Sequence, residues 1–178
     1  MSFIVTSSYF SPVGELRLGS FEGKLCLADW QYRSKRNEID NRISRILNAE
    51  FEEGTTPILD ETKKQLDAYF RGDLEKFSIP LLMAGTDFQK NVWSKLMEIH
   101  YGTTWTYLQL SRFLQNEKGI RAVASANGAN AISIIVPCHR IIGSDGSLVG
   151  YAGGLRAKKK LLVLENPQLD PQIQLFDA

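Results

Sequence analysis

Cysteine and histidine are scarce in this sequence, with two of each among 178 residues. A disulfide scaffold needs several cysteines, so the cysteine count excludes that class of small secreted protein. A structural zinc site needs four ligands close together. The candidate ligands are too few and too scattered to form one: Cys26, His100, Cys138 and His139. We therefore expect a protein that binds no metal.

Long apolar runs are also missing. No uninterrupted apolar stretch approaches the roughly 20 residues of a membrane-spanning helix. The first ten residues lack the basic start and apolar core of a secretory signal. With 43% hydrophobic and 23% charged residues, the chain can bury a core and lacks the composition of a disordered protein. These features predict a soluble protein of one or two domains in a reducing cytoplasm.

The sequence has no excess charge of either sign, since its formal net charge is +1 at pH 7. The charges are nevertheless distributed unevenly, because residues 100–165 contain eight basic and three acidic side chains. Charge alone leaves two interpretations open: ordinary surface charge, or a basic face that binds a polyanion such as nucleic acid.

Short apolar runs separated by turn residues fill the first thirty positions and predict a three-stranded antiparallel meander. Apolar residues at helical spacing then predict a helix near residues 37–51, with Asn37 as N-cap, and a second helix over 60–71. We therefore predict a small α+β domain over residues 1–83, with a structural role.

Two capping-box patterns occur in the second half of the chain, Thr86 with Gln89 and Thr106 with Gln109. Apolar residues at helical spacing follow each pattern, and a third helix rich in small residues is predicted over 120–127. Three short helices with tight connections resemble a helix-turn-helix arrangement.

The rest of the chain alternates apolar and flexible segments. The β-branched run 132–136 predicts a buried strand, and a glycine-rich loop follows it. A last helix is predicted over 155–165, and the tail 167–178 is predicted to be irregular.

The segment around Cys138 carries the clearest chemistry, because this cysteine follows an apolar run and a proline and precedes His139 and Arg140. Neighbouring positive charge favours the thiolate, which is the nucleophilic form. A lone buried cysteine can equally serve as a small hydrophobic residue, so the four residues leave both interpretations open. Adjacent residues on an extended strand point to opposite faces. A direct Cys138–His139 hydrogen bond would therefore need a sharp turn at Pro137, and a bridging water is the alternative.

These residues belong to a longer pattern that resembles the O6-alkylguanine-DNA alkyltransferase family, and its bacterial constitutive branch in particular. The resemblance covers most of residues 85–165. It rests on the segments 85–89, 92–93, 101–104, the Tyr107 region, Asn130, 137–140, 150–154, 161–162 and Glu165.

The resemblance implies an α+β protein of two domains. An N-terminal ribonuclease-H-like domain with antiparallel strands spans residues 1–83. A helical, winged-helix-like DNA-binding domain spans residues 84–166 and carries the active site.

The resemblance also implies DNA repair by direct reversal of damage. Members transfer a methyl or larger alkyl group from O6-alkylguanine in duplex DNA to their own cysteine, here Cys138, after flipping the nucleotide out of the helix. O4-alkylthymine is a second candidate substrate. The protein is consumed in one turnover and needs no cofactor. It binds the minor groove without sequence preference, as a monomer with no obligate protein partner and no membrane association.

Catalytic roles transfer to this chain residue by residue. Cys138 matches the alkyl acceptor, His139 the base that takes the thiol proton through a water, and Glu165 the carboxylate that orients the imidazole. Asn130 matches the side chain that braces the turn before the cysteine. Tyr107 matches the phenol that donates to the departing purine and helps to rotate the phosphate.

The DNA-binding and pocket residues transfer in the same way. Arg121 matches the arginine that fills the space left by the flipped base, and Ala122 and Ala126 let its helix approach the groove. Arg140 is assigned a structural role. The substrate pocket is assigned to Val136, Pro137, Val149, Gly150, Tyr151 and Ala152.

One pocket residue departs from part of the family. Ala152 stands where some relatives carry serine, so one hydrogen bond to the modified oxygen is absent. The alternative function is that of a non-catalytic alkylguanine-binding damage sensor. Such proteins lack the cysteine, and the presence of Cys138 argues against this class.

Overall fold

The structure is a computed structural model and describes residues 1–172. The chain forms two units. Residues 1–86 and 131–135 make up the first unit, and residues 87–130 together with the chain from Val136 onward make up the second. Residues 131–135 thus pack with the first unit, although their sequence neighbours on both sides belong to the second.

A four-stranded sheet with strand order β3-β2-β1-β4 and two helices form the first unit. Its elements are β1 (Phe3–Ser11), β2 (Gly14–Phe21), β3 (Lys24–Trp30), α1 (Arg36–Leu47), β4 (Glu50–Glu53) and α2 (Pro57–Phe70). The antiparallel pairing of β1, β2 and β3 confirms the predicted meander. Strand β4 pairs in parallel with β1 and was not predicted.

The bounds of both helices differ from the prediction. Helix α1 has Lys35 at its N-cap rather than Asn37. It ends at Leu47, and its C-cap Asn48 has a φ of +48°, in the left-handed region. Because the chain turns there, Phe51 joins β4 instead of extending the helix. Helix α2 begins earlier than predicted, because the Thr56 side chain accepts a hydrogen bond from the Leu59 N–H and Pro57 occupies the first turn.

Residues 131–135 cover part of the outer edge of β3. The Ala28 N–H donates to the Ala131 carbonyl at 2.9 Å, and the Ser133 N–H donates to the Ala28 carbonyl at 2.7 Å. The predicted strand over 132–136 is wrong, since only one isolated bridge, Ala28 to Ile132, forms there. The physical reason is Ile134, whose φ of +72° reverses the chain. A β-branched residue rarely adopts this backbone conformation.

A buried ionic cluster supports the same segment. The Asp29 carboxylate is fully buried and accepts hydrogen bonds from Arg33 Nη1 at 2.8 Å and from Arg36 Nη1 at 2.9 Å. The Ser133 hydroxyl donates to the other Asp29 oxygen at 3.2 Å. Asp29 thereby connects the end of β3 to both the following loop and residues 131–135.

Short helices dominate the second unit. Its elements are α3 (Asp87–Leu96), β5 (Trp105–Thr106), α4 (Tyr107–Phe113), α5 (Ile120–Gly128), β6 (Ile141–Ile142) and α6 (Leu155–Glu165), with 3-10 helices at Glu117–Gly119, Cys138–Arg140 and Pro167–Gln172. Helix α6 has the predicted bounds, and α5 extends the predicted one by a single residue. The tail was predicted to be irregular, which is wrong for residues 167–172, and residues 173–178 lie outside the described residues.

Specific contacts fix α3, α4 and α5. The predicted capping box of α4 is confirmed, because the Gln109 N–H donates to Thr106 Oγ1 at 3.1 Å and the Thr106 N–H donates to Gln109 Oε1 at 2.7 Å. The buried Trp93 indole N–H of α3 donates to the Ala126 carbonyl of α5 at 2.8 Å. No helix within residues 1–172 is long and apolar enough to cross a bilayer.

Candidate active site

Cys138 begins a 3-10 turn directly after Pro137. Its N–H donates to the Val136 carbonyl at 2.8 Å, and its side chain is buried. Because the chain coils here, the opposite-face geometry of a strand does not apply to Cys138 and His139. Pro137 thus stands at the sharp turn that the sequence made plausible.

Asn130, which follows the C-cap of α5, holds this turn. Its side-chain amide Nδ2 donates to the Val136 carbonyl at 2.9 Å and lies 3.2 Å from Cys138 Sγ. Hydrogen bonding to a charged form favours that form. The Asn130 amide is therefore placed to fix the backbone before the cysteine and to support a thiolate.

His139 and Arg140 both bind Glu165 at the end of α6. His139 Nε2 lies 2.7 Å from Glu165 Oε1. Arg140 donates from Nε to Oε2 and from Nη2 to Oε1, both at 2.9 Å, and from Nη1 to the Ile99 carbonyl at 2.6 Å. The His139 and Glu165 side chains are both inaccessible to solvent. Arg140 thus ties α6 to the turn after α3 and neutralises the carboxylate.

The charge states of this cluster follow from burial and pairing. Burial would raise the pKa of Glu165, but His139 and Arg140 outweigh it and hold that pKa well below its usual value. Burial lowers the pKa of His139, and the attraction of Glu165 offsets only part of this effect. The ionised Glu165 cannot donate, so the neutral imidazole donates through Nε2. Within residues 1–172, Nδ1 has no hydrogen-bond partner, and its lone pair is available to take a proton.

Tyr107 and Arg121 line one cavity of about 390 Å³. Tyr107 is partly buried at the first turn of α4, while Arg121 is exposed on α5. Burial, and next the charge of nearby Cys138, raise the pKa of Tyr107, whereas a hydrogen bond with Asn127 lowers it. The phenol therefore keeps its proton and can donate a hydrogen bond. Leu108, Ile120, Ala124, Gly143 and Ser144 complete the cavity lining.

The two alanines predicted to face DNA lie on different sides of α5. Ala122 is exposed beside Arg121. Ala126 is buried, and its carbonyl accepts the Trp93 indole N–H. Ala126 therefore faces the protein interior rather than the exposed side of α5, and its contribution to DNA binding stays a prediction. Ser125 occupies an exposed position on the same helix.

The predicted pocket residues lie on two segments. Val136 and Pro137 are buried next to Cys138. In the loop before α6, Val149 and Gly150 are exposed, and Tyr151 and Ala152 are partly buried. The Tyr151 ring meets the His139 ring edge-on, with centroids 6.5 Å apart.

Sequence reasoning missed one residue at this loop, Lys158. Its ammonium is fully buried on α6 and donates to the Val149 carbonyl at 2.9 Å. The signal was present in the helical pattern, since Lys158, Leu161, Leu162 and Glu165 fall on one buried face. In the part of the chain that the structure describes, no group of three His, Cys, Asp or Glu side chains could hold a metal ion.

Comparison with known proteins identifies both units. The model of the 6-O-methylguanine DNA methyltransferase ribonuclease-like domain matches residues 4–83, and the model of the DNA-binding domain of the same proteins matches residues 87–167. The methylated-DNA–protein-cysteine methyltransferase of Methanosarcina acetivorans is 43% identical over 155 residues, which cover 87% of this chain and 94% of that protein. The corresponding protein of Methanosarcina barkeri is 45% identical over 159 residues, which cover 89% and 95%.

A solved structure agrees with these matches. Mycobacterium tuberculosis OGT in complex with DNA is similar to this chain with a TM-score of 0.79 and 35% identity, covering 93% of this chain and 94% of that one. The predicted α+β fold and the resemblance on which it depended are thereby confirmed. With both domain models matched over nearly the whole chain, the protein belongs to the 6-O-methylguanine DNA methyltransferase family.

Proposed function

We propose that Cys138 is the residue that accepts the alkyl group when this protein repairs DNA. Family membership establishes a methylated-DNA–protein-cysteine methyltransferase that binds DNA and transfers an alkyl group to cysteine. The observation that carries the assignment to Cys138 is the setting of its sulfur. Its Sγ lies 3.2 Å from the Asn130 amide nitrogen. The next residue in the chain, His139, forms a buried pair with Glu165.

The proton of the thiol goes to His139. The neutral imidazole donates through Nε2 to Glu165, so Nδ1 is the atom that can accept. A water molecule between Sγ and Nδ1 would carry this transfer. The negative charge of Glu165 favours the imidazolium that results.

The sulfur then displaces guanine from the alkyl carbon. A bond forms between Sγ and carbon while the bond between carbon and O6 breaks, and the electron pair leaves with the purine. Tyr107, whose phenol is protonated, supports the departing guanine through a hydrogen bond. The purine finally takes up one proton and is restored as guanine. The thioether is stable, so each molecule repairs one lesion.

The protein is assigned to bind, as a monomer, in the minor groove of duplex DNA that contains O6-alkylguanine. Arg121 is exposed on α5 and lines the same cavity as Tyr107. It is placed to enter the space left by a flipped nucleotide. Ala122 and Ser125 have small side chains, so the exposed face of α5 can approach the groove closely. Contacts to phosphates give binding without sequence preference.

A reducing cytoplasm suits this chemistry, because oxidation would consume the thiolate before it met a lesion. A damage sensor without turnover is the weaker candidate. It would have no use for a cysteine coupled to a buried base and carboxylate.

Intact-protein mass spectrometry after incubation with a duplex containing one O6-methylguanine tests the assignment. We expect a stoichiometric gain of about 14 Da, one CH₂, that maps to Cys138. Undamaged DNA should give no gain, and Cys138→Ser should give none while still binding DNA. A methyl group on any other residue, or no gain despite damage-selective binding, would contradict the proposal.

Cys26 supplies the matched control. This cysteine is also buried, and burial raises the pKa of its thiol to about 12. A thiol with that pKa is not nucleophilic near neutrality. Cys26→Ser should therefore gain the same mass as the unmodified protein.

A further inference from the structure

Asn127 is a buried amide in the last turn of α5, with 4% of the residue exposed. Two contacts fix the backbone at this position. The Trp93 indole N–H donates to the carbonyl of Ala126 at 2.8 Å, and the Asn127 carbonyl accepts the Asn130 N–H at 3.3 Å. Asn127 is thereby held one turn before the residue that braces Cys138.

The side chain of Asn127 forms a hydrogen bond with the phenol of Tyr107, the first residue of α4. This hydrogen bond lowers the pKa of Tyr107, which is the effect of a donor on the phenol oxygen. An amide oxygen cannot donate, so the amide nitrogen is the group that faces Oη. The phenol accepts this bond through a lone pair and keeps its own proton for another partner.

The other end of the same amide is a buried acceptor. Within residues 1–172, Asn127 Oδ1 has no hydrogen-bond partner. A buried acceptor without a partner costs stability, so packing alone would favour an apolar side chain at this position. A role for the amide at Tyr107 accounts for an asparagine that packing does not require.

The direction of this hydrogen bond decides what Tyr107 can do in the cavity that it lines with Arg121. A phenol has one proton to donate. An acceptor that faced Oη from the protein side would take that proton, and the phenol could then offer the substrate only lone pairs. A donor on Oη leaves the proton for the purine, which gains an electron pair when the bond to the alkyl carbon breaks.

We propose that Asn127 is a positioning residue whose amide nitrogen occupies the Tyr107 phenol oxygen from the protein side and leaves the phenol proton for the departing purine. The inference deepens the proposed function, on which it rests. Asn127 acts through Tyr107 and does not act on the sulfur or the alkyl carbon.

A double-mutant cycle of Asn127→Leu and Tyr107→Phe tests this role, with the single-turnover rate measured at saturating O6-methylguanine duplex. Leucine is close to asparagine in size and cannot donate. We expect Asn127→Leu to slow transfer at least about fivefold, the rate equivalent of one typical hydrogen bond. In the Tyr107→Phe background the same substitution should cost nothing further, because the phenol oxygen is already absent. Affinity for undamaged duplex should stay unchanged.

Two outcomes of the cycle overturn the inference. An equal loss in both backgrounds would mean that Asn127 acts through the fold or through Asn130. Faster transfer by Asn127→Leu would mean that the amide had been holding the phenol proton.

Ser111 supplies the matched control. It is buried on α4 one turn after Tyr107, and within residues 1–172 its hydroxyl likewise has no hydrogen-bond partner. Ser111→Ala should therefore leave the transfer rate unchanged. Circular dichroism identifies variants that fail to fold, and Asn127→Ala takes the place of Asn127→Leu if leucine is not accommodated.

Carbon-13 NMR of protein labelled at the tyrosine Cζ atoms measures the same contact without DNA. Cζ carries the hydroxyl, so its resonance responds to hydrogen bonds at Oη. The Tyr107 signal, assigned by its loss in Tyr107→Phe, should move in Asn127→Leu and stay in place in Ser111→Ala. A Tyr107 signal that does not move in Asn127→Leu also overturns the inference.

The two measurements separate failure of the inference from failure of the proposed function. If the protein gains no mass from O6-methylguanine, the proposed function fails, while the NMR comparison still decides whether Asn127 holds the phenol. If the protein gains mass and the losses in the cycle add, only the inference about Asn127 fails.

Discussion

The buried pair of Glu165 and Arg140 allows a quantitative prediction. Glu165 accepts two hydrogen bonds from Arg140, both at 2.9 Å, and its side chain is inaccessible to solvent. Glu165→Gln keeps the size of the side chain and removes its charge. The guanidinium then stays buried without a counter-charge.

The expected cost follows from that geometry. Removing one partner of a buried ion pair destabilises a protein by about 3–5 kcal/mol, because the remaining charge stays desolvated. For a chain of this size, each kcal/mol lowers the melting temperature by about 2–4 °C. We therefore expect Glu165→Gln to melt at least about 6 °C lower than the original protein. Alkyl transfer should also slow, because His139 loses the negative partner of its imidazolium.

Glu117 provides the matched control. It pairs with Arg112 at 2.7 Å, but both side chains are more than half exposed. Exposed pairs contribute about 0–1 kcal/mol. Glu117→Gln should therefore change the melting temperature by at most about 4 °C.

Urea denaturation of both variants, with single-turnover transfer measured in parallel, tests this reasoning. The slope of the unfolding free energy with urea should stay unchanged, since the folded structure is kept. Equal losses of stability in Glu165→Gln and Glu117→Gln would refute the argument that burial sets the cost.

Three further predictions concern the same site. Asn130→Ala should slow transfer by about 5- to 150-fold, the equivalent of about 1–3 kcal/mol for an unpaired buried carbonyl and sulfur; an unchanged single-turnover rate would exclude the bracing role. Arg121→Ala should weaken transfer from duplex DNA more than transfer from a free O6-alkylguanine base, and equal losses on the two substrates would rule out a role in flipping. The folded state lowers the pKa of both His139 and Glu165. The unfolded chain therefore binds more protons, and the free energy of unfolding should fall as pH drops below about 6.5, by up to about 1.4 kcal/mol per pH unit for each group that titrates; urea midpoints that stay constant between pH 7.5 and 5 would contradict these charge assignments.

Local sequence signals predicted much of the fold. The β1–β3 meander and helix α6 follow from alternation and helical spacing, and the capping box of α4 follows from Thr106 and Gln109. Strand β4 has no such signal, because its sequence is Glu-Phe-Glu-Glu and its pairing with β1 is parallel and distant in the chain. A strand stabilised by its partner rather than by its own pattern cannot be found from the pattern alone.

The segment 132–136 shows the opposite error. Its β-branched residues favour an extended strand, yet Ile134 has a positive φ and the chain turns. Tertiary contacts to Ala28 and Asp29 stabilise this conformation against the local preference. Such contacts connect residues about a hundred positions apart and leave no mark in the local sequence.

Predictions about the site depended on the kind of residue. Cys138 and His139 carry recognisable chemistry in the sequence, whereas the role of Glu165 came only from the family resemblance. The structure brings His139 and Glu165 together at 2.7 Å. Ala126 was assigned to the DNA surface because it is small, but the side of a helix that a small residue faces depends on its neighbours. Lys158 was overlooked because a lysine in a basic run looks exposed, and only its spacing with Leu161 and Leu162 indicates burial.

The crossing of residues 131–135 into the first unit has a consequence for synthesis of the protein. On the ribosome, the edge of β3 at Ala28 is completed only after residues 87–130 have been made. At about 5–20 residues per second, the incomplete edge persists for seconds. Unpaired strand edges promote association with other chains. The growing chain is therefore most prone to aggregation between completion of Thr86 and emergence of Ser133, and a fragment ending at the boundary of the first domain keeps that open edge permanently.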